Sequence, residues 1–261
     1  MDGTARNTQI FLFTSCKGGV GKSTVCANLA MSLATLGRRV LLIDCDFGNR
    51  CLDIITGLSN EALYDIGDVM MSRISPERAV TADKRNKNLF FIPAPYDFGE
   101  NISPYAFRAT VSAYARSGEY DYIFLDTPGG VGEPLMCAAS VADTAFIIVS
   151  PTRAAVRAAE RTADYLYSRG VRRQRLIVNK IGGKRPEDAK VYVADIIDRS
   201  RVQLIGCVPF DPEIIGAGDR GILTDELYSE SVTRAFDNIA RRMLGQNVPL
   251  FYKIRKLKRL H

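Results

Sequence analysis

The 261-residue chain predicts a single-domain α/β fold in which helices cover both faces of a mostly parallel sheet. Three observations support this prediction. Short runs of β-branched and aromatic residues alternate with helical patterns, a glycine-rich loop joins the first run to the first helical pattern, and no repeat or low-complexity tract interrupts the series. Strands that alternate with helices form parallel sheets, so we expect a ligand site at the carboxyl ends of the strands.

The elements follow in chain order from composition and spacing. Runs rich in branched apolar and aromatic residues predict strands at residues 9–14, 39–43, 88–92, 122–125, 145–149, 175–178 and 203–208. Helical spacing of apolar residues predicts helices at residues 22–36, 105–116, 134–142, 153–169, 186–198 and 229–244. Residues 246–249 end the predicted domain, residues 1–249, and a basic tail follows at residues 250–261.

The net positive charge is concentrated in that tail. The chain has 35 basic and 29 acidic residues, a net charge of +6, and five of these positive charges belong to a tail without acids: Lys253, Arg255, Lys256, Lys258 and Arg259. The rest of the chain is therefore nearly neutral, which argues against a general nucleic-acid-binding surface.

Several classes of protein are excluded by what the sequence lacks. The only histidine is His261, so a Ser-His-Asp triad and a histidine-rich metal site are excluded. Six cysteines occur without a C-x-x-C pair, which is typical of reduced thiols. No apolar stretch reaches the roughly 18 residues of a membrane span, and the N-terminal residues do not resemble a signal peptide, so we expect a cytoplasmic protein.

The glycine-rich loop predicts a phosphate-binding site. The sequence K-G-G-V-G-K-S-T occupies residues 17–24, between the first strand and a helix rich in alanine and leucine. Glycines let the backbone curl around an anion, which backbone N–H groups and the helix N-terminus attract. Lys22 can neutralise the outer phosphates of ATP, and the Ser23 hydroxyl can ligate Mg²⁺. The expected nucleotide-binding residues of the loop are Gly18, Gly19, Val20, Gly21, Lys22, Ser23 and Thr24.

Acidic residues follow two of the predicted strands. Asp44 and Asp46 come after the second strand, and Asp126 comes after the apolar run at residues 122–125. Acids at the carboxyl ends of parallel strands lie over the ligand crevice, where they can hold a Mg²⁺ that accompanies ATP. Phosphoryl transfer requires mainly positioning and charge neutralisation, so carboxylates and lysines suffice without histidine.

These motifs resemble the deviant Walker A ATPases of the MinD/ParA superfamily. Cys16 stands where the standard loop has its first glycine, and an additional lysine, Lys17, precedes the glycine pair. The resemblance implies a homodimer in which Lys17 reaches the nucleotide of the partner subunit. It also implies that Asp46 orients the attacking water, that Asp44 lies near the Mg²⁺ shell and that Asp126 holds Mg²⁺ through water.

The same resemblance implies residues that contact the base. Asn179, which follows the strand at residues 175–178, matches the adenine-reading asparagine of the family, and Pro209 would lie near the base. The predicted catalytic residues are Lys17, Lys22 and Asp46. The predicted metal-binding residues are Ser23, Asp44 and Asp126.

The tail predicts a basic amphipathic helix. Its apolar face consists of Leu250, Phe251, Ile254, Leu257 and Leu260. Such a helix is typical of attachment to an anionic membrane surface, and two tails on a dimer add avidity. It also resembles the membrane-targeting helix of the MinD branch. A helix docked on the domain and a basic end that contacts nucleic acid are the alternatives.

The resemblance to the MinD branch extends along nearly the whole chain. It implies an ATPase that attaches to the inner face of the cell membrane, is released on hydrolysis, and places the division site or organises another structure with a MinC- or MinE-like regulator. Two positions depart from the branch: Asn49 replaces a leucine, and Ala158 replaces an acid, while Glu160 keeps a second acid. The alternatives are a ParA-type DNA-partitioning ATPase, an FlhG-like flagellar-number regulator and a non-enzymatic nucleotide-binding scaffold.

Overall fold

The computed structural model describes residues 8–15, 17–96, 103–183, 191–224, 226 and 229–250. Within these ranges the strands are β1 (Gln9–Ser15), β2 (Val40–Asp44), β3 (Thr81–Ala82), β4 (Leu89–Ile92), β5 (Tyr122–Gly129), β6 (Thr144–Val149), β7 (Gln174–Ile181) and β8 (Leu204–Pro209). The helices are α1 (Lys22–Thr35), α2 (Leu52–Thr56), α3 (Ile66–Met70), α4 (Pro76–Ala79), α5 (Pro104–Arg116), α6 (Glu133–Ala139), α7 (Arg153–Ser168), α8 (Val193–Ser200), α9 (Pro212–Asp219) and α10 (Glu230–Met243).

The strands of the described chain form one sheet in the order β3-β4-β2-β5-β1-β6-β7-β8. Neighbouring strands run parallel except β3 and β4, which are antiparallel. β2 lies on one side of β1 in the sheet, whereas β6, β7 and β8 lie on the other side. The loop after β1 therefore lies at a change of winding direction, where ligand crevices of such sheets occur.

The sheet separates two hydrophobic clusters. On one face, α1 and α10 contribute Leu29 and Phe236 to the first cluster. On the other face, α5 and α7 contribute Phe107 and Leu166 to the second cluster. The predicted α/β architecture, with a mostly parallel sheet between helices on both faces, is confirmed.

Aromatic rings fix the centre of the sheet. Phe13 of β1 lies between Phe124 of β5 and Phe146 of β6, with ring centroids 4.7 and 5.0 Å away. All three rings are buried, and close aromatic pairs of this kind stabilise strand pairing. This packing stabilises the pairing of β1 with β5 and β6, and the glycine-rich loop follows β1.

The sequence does not predict the short elements β3, α2, α3, α4 and α9. They contain two to eight residues, too few for periodicity to show. Local side-chain hydrogen bonds define some of them instead. Asp65 and Asp68, for example, form a capping box at the start of α3.

Four predicted bounds differ from the structure by three residues or more. β7, predicted to end at residue 178, extends to Ile181. β5 extends beyond residue 125 to Gly129, because that segment continues to pair with β1. The helix predicted at residues 134–142 ends at Ala139. The helix predicted at residues 186–198 begins at Val193, where Asp195 accepts a hydrogen bond from the backbone N–H of Tyr192, and residues 186–190 lie outside the described ranges.

Leu250 is partly buried against the second hydrophobic cluster. Part of its side chain therefore contacts the domain, and its role in membrane attachment stays a prediction. The other apolar residues of the predicted tail helix lie outside the described ranges: Phe251, Ile254, Leu257 and Leu260. Among the helices that the structure describes, none is both long and apolar enough to cross a lipid bilayer.

Candidate functional site

The carboxyl ends of β1, β2 and β5 meet at one edge of the sheet. Asp44, the last residue of β2, is aligned with Asp126 in β5. β1 lies beside β5 and leads through the glycine-rich loop into α1. The register therefore brings the loop and both acids together. Cys16 lies outside the described residues.

Lys22 is buried at the start of α1 and forms an ion pair with Asp126. Its Nζ lies 2.7 Å from Asp126 Oδ1 and donates a hydrogen bond to Ser23 Oγ at 3.0 Å. Burial, the largest single influence, lowers the pKa of Lys22. The charge of Asp126, its hydrogen bond with Lys22 and smaller contributions from Cys26 and Asp44 together outweigh burial, so the pKa of Lys22 is raised. Lys22 is therefore a buried, charged ammonium group.

Asp44 is fully buried and is held by the segment that follows it. Its Oδ1 accepts a hydrogen bond from the Asp46 backbone N–H at 2.8 Å, and its Oδ2 accepts one from the Leu52 backbone N–H at 3.1 Å. Burial and, second, the charge of Asp126 raise the pKa of Asp44 to about 7. The two carboxylates repel each other, so an added cation between them would be stabilised.

Asp46 and Lys17 lie on the outer side of the site. Asp46 is half-buried; burial raises its pKa, while the charge of Lys22 and a hydrogen bond from Asn49 offset part of the increase. Lys17 is exposed, so its ammonium group is accessible to a second molecule. The site thus combines a buried ion pair with an exposed cation and an accessible carboxylate.

The glycine-rich loop leaves space for a ligand. A Cβ atom at Gly18 or Gly19 would meet nothing within 4 Å among the described residues. Gly21 has φ of 85°, a left-handed conformation, and immediately precedes α1, whose first turn has neither a capping side chain nor an acid. The backbone N–H groups of the first turn of α1 therefore suit an anion that enters the loop.

Asn179 and Lys180, near the end of β7, contact the loop directly. Asn179 Nδ2 donates a hydrogen bond to the Val20 carbonyl at 2.8 Å, and Lys180 Nζ donates one to the Gly19 carbonyl at 2.6 Å. The sequence pattern predicts Asn179 near the nucleotide but does not indicate Lys180. The signal that could have found Lys180 is its position immediately after Asn179.

Pro209 and Thr24 occupy the margins of the site. Pro209 ends β8 and is aligned with Ile181 of β7, so it lies at the same edge of the sheet as Asn179. Thr24 lies in the first turn of α1, and its carbonyl accepts a hydrogen bond from Asn28. Their roles in contacting a nucleotide remain predictions.

Comparisons with known proteins identify the family. Residues 11–224 match the CobQ/CobB/MinD/ParA nucleotide binding domain. The septum site-determining protein MinD of Synechocystis sp. is 36% identical over 249 residues, which cover 92% of this chain and 91% of the relative. This chain belongs to the MinD family. The MinD protein of Bacillus subtilis is also 36% identical, over 248 residues that cover 93% of this chain and 91% of the relative.

Solved structures of MinD proteins share the fold. A chain of the MinC:MinD cell division protein complex from Aquifex aeolicus is 36% identical, with a TM-score of 0.86 over 94% of this chain and 99% of that chain. MinD from Pyrococcus horikoshii, complexed with Mg-ADP, is 24% identical, with a TM-score of 0.81 over 90% of this chain and 96% of that chain. The predicted family and the nucleotide-binding fold are confirmed.

The groups of this MinD-family chain fit a nucleotide with Mg²⁺. The open glycine loop and the start of α1 suit a phosphate chain, and Lys22 supplies a positive charge beneath them. The Ser23 hydroxyl and the carboxylates of Asp44 and Asp126 are oxygen donors of the kind that Mg²⁺ prefers. The donor chemistry therefore agrees with the cofactors that the sequence predicts.

Proposed function

We propose that this chain is a Mg²⁺-dependent ATPase that dimerises on binding ATP, attaches to the inner face of the cell membrane and is released after hydrolysis. Its relatives are named septum site-determining proteins, and the A. aeolicus relative forms a complex with MinC. We therefore assign it to division-site placement with a MinC-like regulator. The observation that carries this proposal is the buried Lys22–Asp126 pair beneath the loop that exposes Lys17.

The ion pair explains how the site would accept ATP and Mg²⁺ together. In the protein alone, Lys22 and Asp126 neutralise each other across 2.7 Å. Phosphate gives Lys22 a new negative partner, and Asp126 then requires a positive one, because a buried unpaired carboxylate is costly. A bound Mg²⁺ would supply that charge. Separation of the pair also leaves the Ser23 hydroxyl, which Lys22 contacts, able to act as a ligand.

Hydrolysis requires a water aligned with the γ-phosphorus. The water oxygen bonds to that phosphorus, the bond from phosphorus to the bridging oxygen breaks, and ADP, inorganic phosphate and a proton are released. We assign the orientation of this water to Asp46, the accessible carboxylate beside the ion pair. The partner's Lys17 would neutralise negative charge that develops on the phosphates.

Membrane attachment is assigned to residues 251–261. This segment contains five basic residues and no acid, and each basic residue near an anionic membrane contributes about 1 kcal/mol. Ordering the segment costs roughly 1–2 kcal/mol per residue, so one tail binds weakly. Two tails on one dimer act together, which makes attachment depend on ATP.

The surface of α7 indicates the charge of the regulator. Arg157 and Arg161 are exposed one helical turn apart, and Glu160 is exposed beside them. Ala158 is only 5% exposed, so its position faces the core and presents nothing to a partner. A regulator that binds this face of α7 requires acidic groups opposite the arginines.

The experiment that tests the proposal compares Lys17→Ala with Lys22→Ala. We expect Lys17→Ala to bind a non-hydrolysable ATP analogue but to remain monomeric in light scattering, with hydrolysis reduced at least about tenfold, because a cation supplied across an interface stabilises the transition state. Lys22→Ala should lose nucleotide binding itself. Lys87→Ala, which removes an exposed lysine elsewhere, is the matched control and should behave as the wild type.

Two results would contradict the proposal. One is a wild-type chain that stays monomeric with saturating analogue and Mg²⁺. The other is a Lys17→Ala protein that dimerises and hydrolyses ATP at the wild-type rate. Parallel binding assays with anionic liposomes and with nonspecific duplex DNA, in one salt series, separate membrane attachment from a DNA-partitioning role.

A further inference from the structure

A pocket of about 360 Å³ opens at the edge of the sheet where β7 and β8 begin, opposite the phosphate loop. The last turns of α7 and α8 complete its walls. Three of the residues that line it are arginines, Arg172, Arg175 and Arg201, and we name it the arginine pocket. Neither the proposed catalytic site nor the tail includes any of these side chains.

The positive charges of the arginine pocket are not balanced by acids of the described domain. Asp164 is the only acid among the described residues that line the pocket. None of the three arginines forms an ion pair within the part of the chain that the structure describes. Arg175 donates a hydrogen bond to the Gln174 carbonyl at 2.8 Å, whereas Arg172 is exposed. The pocket therefore retains N–H donors for an anion, and guanidinium groups bind phosphate through paired hydrogen bonds.

Arg201 occupies a backbone position that favours glycine. It follows α8 with φ of 55° and ψ of 21°, a left-handed conformation, and its N–H donates a hydrogen bond to the Ile197 carbonyl at 2.9 Å. Its side chain is exposed, so packing does not offset the conformational strain. An arginine here brings a charge to the pocket under strain that glycine would avoid, which indicates a function for the guanidinium group. A favourable contact with the C-terminal dipole of α8 is the alternative, and it would show as a loss of stability in a glycine variant.

The proposed membrane tail begins at the same edge of the sheet. α10 starts near the end of β8, where the Ser229 hydroxyl donates a hydrogen bond to the Asp211 carboxylate, and it packs on β8 through Ile239. It therefore ends near the edge at which β8 begins. Leu250 then packs against the second hydrophobic cluster, on the face that carries α7 and α8. The arginine pocket and the start of the tail thus share one edge and one face of the domain.

Anionic lipid is the partner that these surroundings favour. The tail contains five basic residues and no acid, so it is repelled by the arginines and requires the same kind of partner. Tyr167 lines the pocket and is 62% exposed, and its ring centroid lies 5.9 Å from Arg172 Cζ. An exposed tyrosine beside cations is typical of the interface between lipid and water, because its ring is apolar and its hydroxyl is polar.

We propose that the arginine pocket binds the phosphate groups of anionic lipids beside the attached tail. This inference rests on the proposed function, in which the tail attaches the protein to the membrane. It extends the membrane contact from residues 251–261 to the folded domain. Because the pocket lies at the edge opposite the phosphate loop, lipid bound there leaves the nucleotide site uncovered.

The test measures binding of the full chain, with a non-hydrolysable ATP analogue and Mg²⁺, to vesicles of equal parts phosphatidylglycerol and phosphatidylcholine. We expect Arg172→Ala and Arg201→Gly each to weaken vesicle binding about fivefold, because a basic residue near an anionic membrane contributes affinity of that order. Arg172→Lys, which keeps the charge, should bind within about twofold of the wild type. Analogue-induced dimerisation should not change, since the pocket is remote from the nucleotide site.

Controls separate lipid binding from a structural role. Arg108→Ala removes an exposed arginine from α5, outside the pocket, and should bind the vesicles as the wild type does. Arg201→Gly should keep the wild-type unfolding temperature or raise it, because glycine adopts the left-handed conformation without strain. Vesicles of phosphatidylcholine alone should bind the wild type and all variants weakly, because they have no net charge.

The outcomes distinguish this inference from the proposed function. A wild-type chain that does not bind the anionic vesicles would overturn both. Binding by the wild type, with equal binding by Arg172→Ala and Arg201→Gly, would overturn only the role of the arginine pocket. A loss that follows a lowered unfolding temperature, or an equal loss in Arg108→Ala, would also overturn it. So would variants that lose affinity for nonspecific duplex DNA but keep vesicle binding, because the partner would then be nucleic acid.

Discussion

The proposed site contains an ion pair that is far more buried than an ion pair on the surface. The side chains of the Lys22–Asp126 pair are 7% and 1% exposed, whereas Lys84 in its pair with Glu61 is 78% exposed. An exposed pair contributes about 0–1 kcal/mol, and a buried pair must offset a large desolvation cost. We attribute the buried pair to ligand binding, since its partners can be exchanged for phosphate and Mg²⁺.

Gly21 gives a prediction at this scale. It has φ of 85°, and a Cβ atom there would lie 2.5 Å from Asn179 Nδ2. Gly37 has φ of 80°, but a Cβ atom there would meet nothing within 4 Å, so Gly37→Ala measures backbone strain alone. We expect Gly21→Ala to lower the free energy of unfolding by about 1–3 kcal/mol more than Gly37→Ala, because overpacking adds to strain.

Urea denaturation measures both variants under the same conditions. Gly21→Ala should also weaken nucleotide binding, because the displaced Asn179 amide holds the loop through the Val20 carbonyl. Equal unfolding free energies for the two variants would show that Asn179 moves without cost, and the contact would then not constrain the loop.

Close packing between helices and strands holds in place the elements that carry the site. β8 and α10 approach closely because Gly206, in the middle of β8, faces Ile239 on α10. The φ of Gly206 lies outside the left-handed region, so the position requires glycine for space rather than for conformation. This packing closes the first hydrophobic cluster, to which α1 also contributes, and α1 begins at the phosphate loop.

A double-mutant cycle tests the β8–α10 contact. A Cβ atom at Gly206 would lie 2.4 Å from Ile239 Cγ1, so Gly206→Ala should destabilise the protein by about 1–3 kcal/mol. In an Ile239→Ala background, which removes that atom, the same substitution should cost much less. Thermal and urea unfolding provide the free energies, and strictly additive effects would contradict the proposed clash.

The molecule as a whole places its functional groups at one edge of the sheet. The carboxyl ends of β1, β2, β5, β7 and β8 bring the loop, the acids, Asn179 and Pro209 to that edge. The tail begins at Leu250, whose side chain packs against the second hydrophobic cluster. The proposed catalytic site and the proposed membrane-binding tail therefore belong to different segments of the chain.

Removal of residues 251–261 tests this separation. The truncation is placed after Leu250, so that the contact of its side chain with the second hydrophobic cluster is kept. We expect the truncated protein to dimerise with a non-hydrolysable ATP analogue as the full chain does, yet to lose ATP-dependent sedimentation with anionic liposomes, since the tail carries the basic and apolar groups.

Neutral liposomes and nucleotide-free protein are the controls for this truncation. The full chain should sediment weakly with neutral liposomes, which lack anionic charge. Without nucleotide it should also sediment weakly with anionic liposomes, because its tails are then not paired. Undiminished sedimentation of the truncated protein, or equal sedimentation of the full chain with and without nucleotide, would contradict the assignment.

Much of the site follows from local sequence. Glycines between a buried strand and a helix predict the phosphate loop, and Asp44 and Asp126 follow apolar runs. The long strands and helices follow from burial and periodicity in the same way. These features are local, because they depend on spacing within one segment and on the general rule that parallel strands end at the ligand edge.

Tertiary structure alone decides which side chains meet. The 2.7 Å pair joins residues 104 positions apart, and the contact from Asn179 to Val20 spans 159 positions. The partial burial of Leu250 and the left-handed turn at Arg50 also depend on distant neighbours. The sequence thus determined the family, the sheet and the chemical types of the residues in the site. The strand order and the packing determined which of these side chains contact each other, because contact energies depend on neighbours that only the fold brings together.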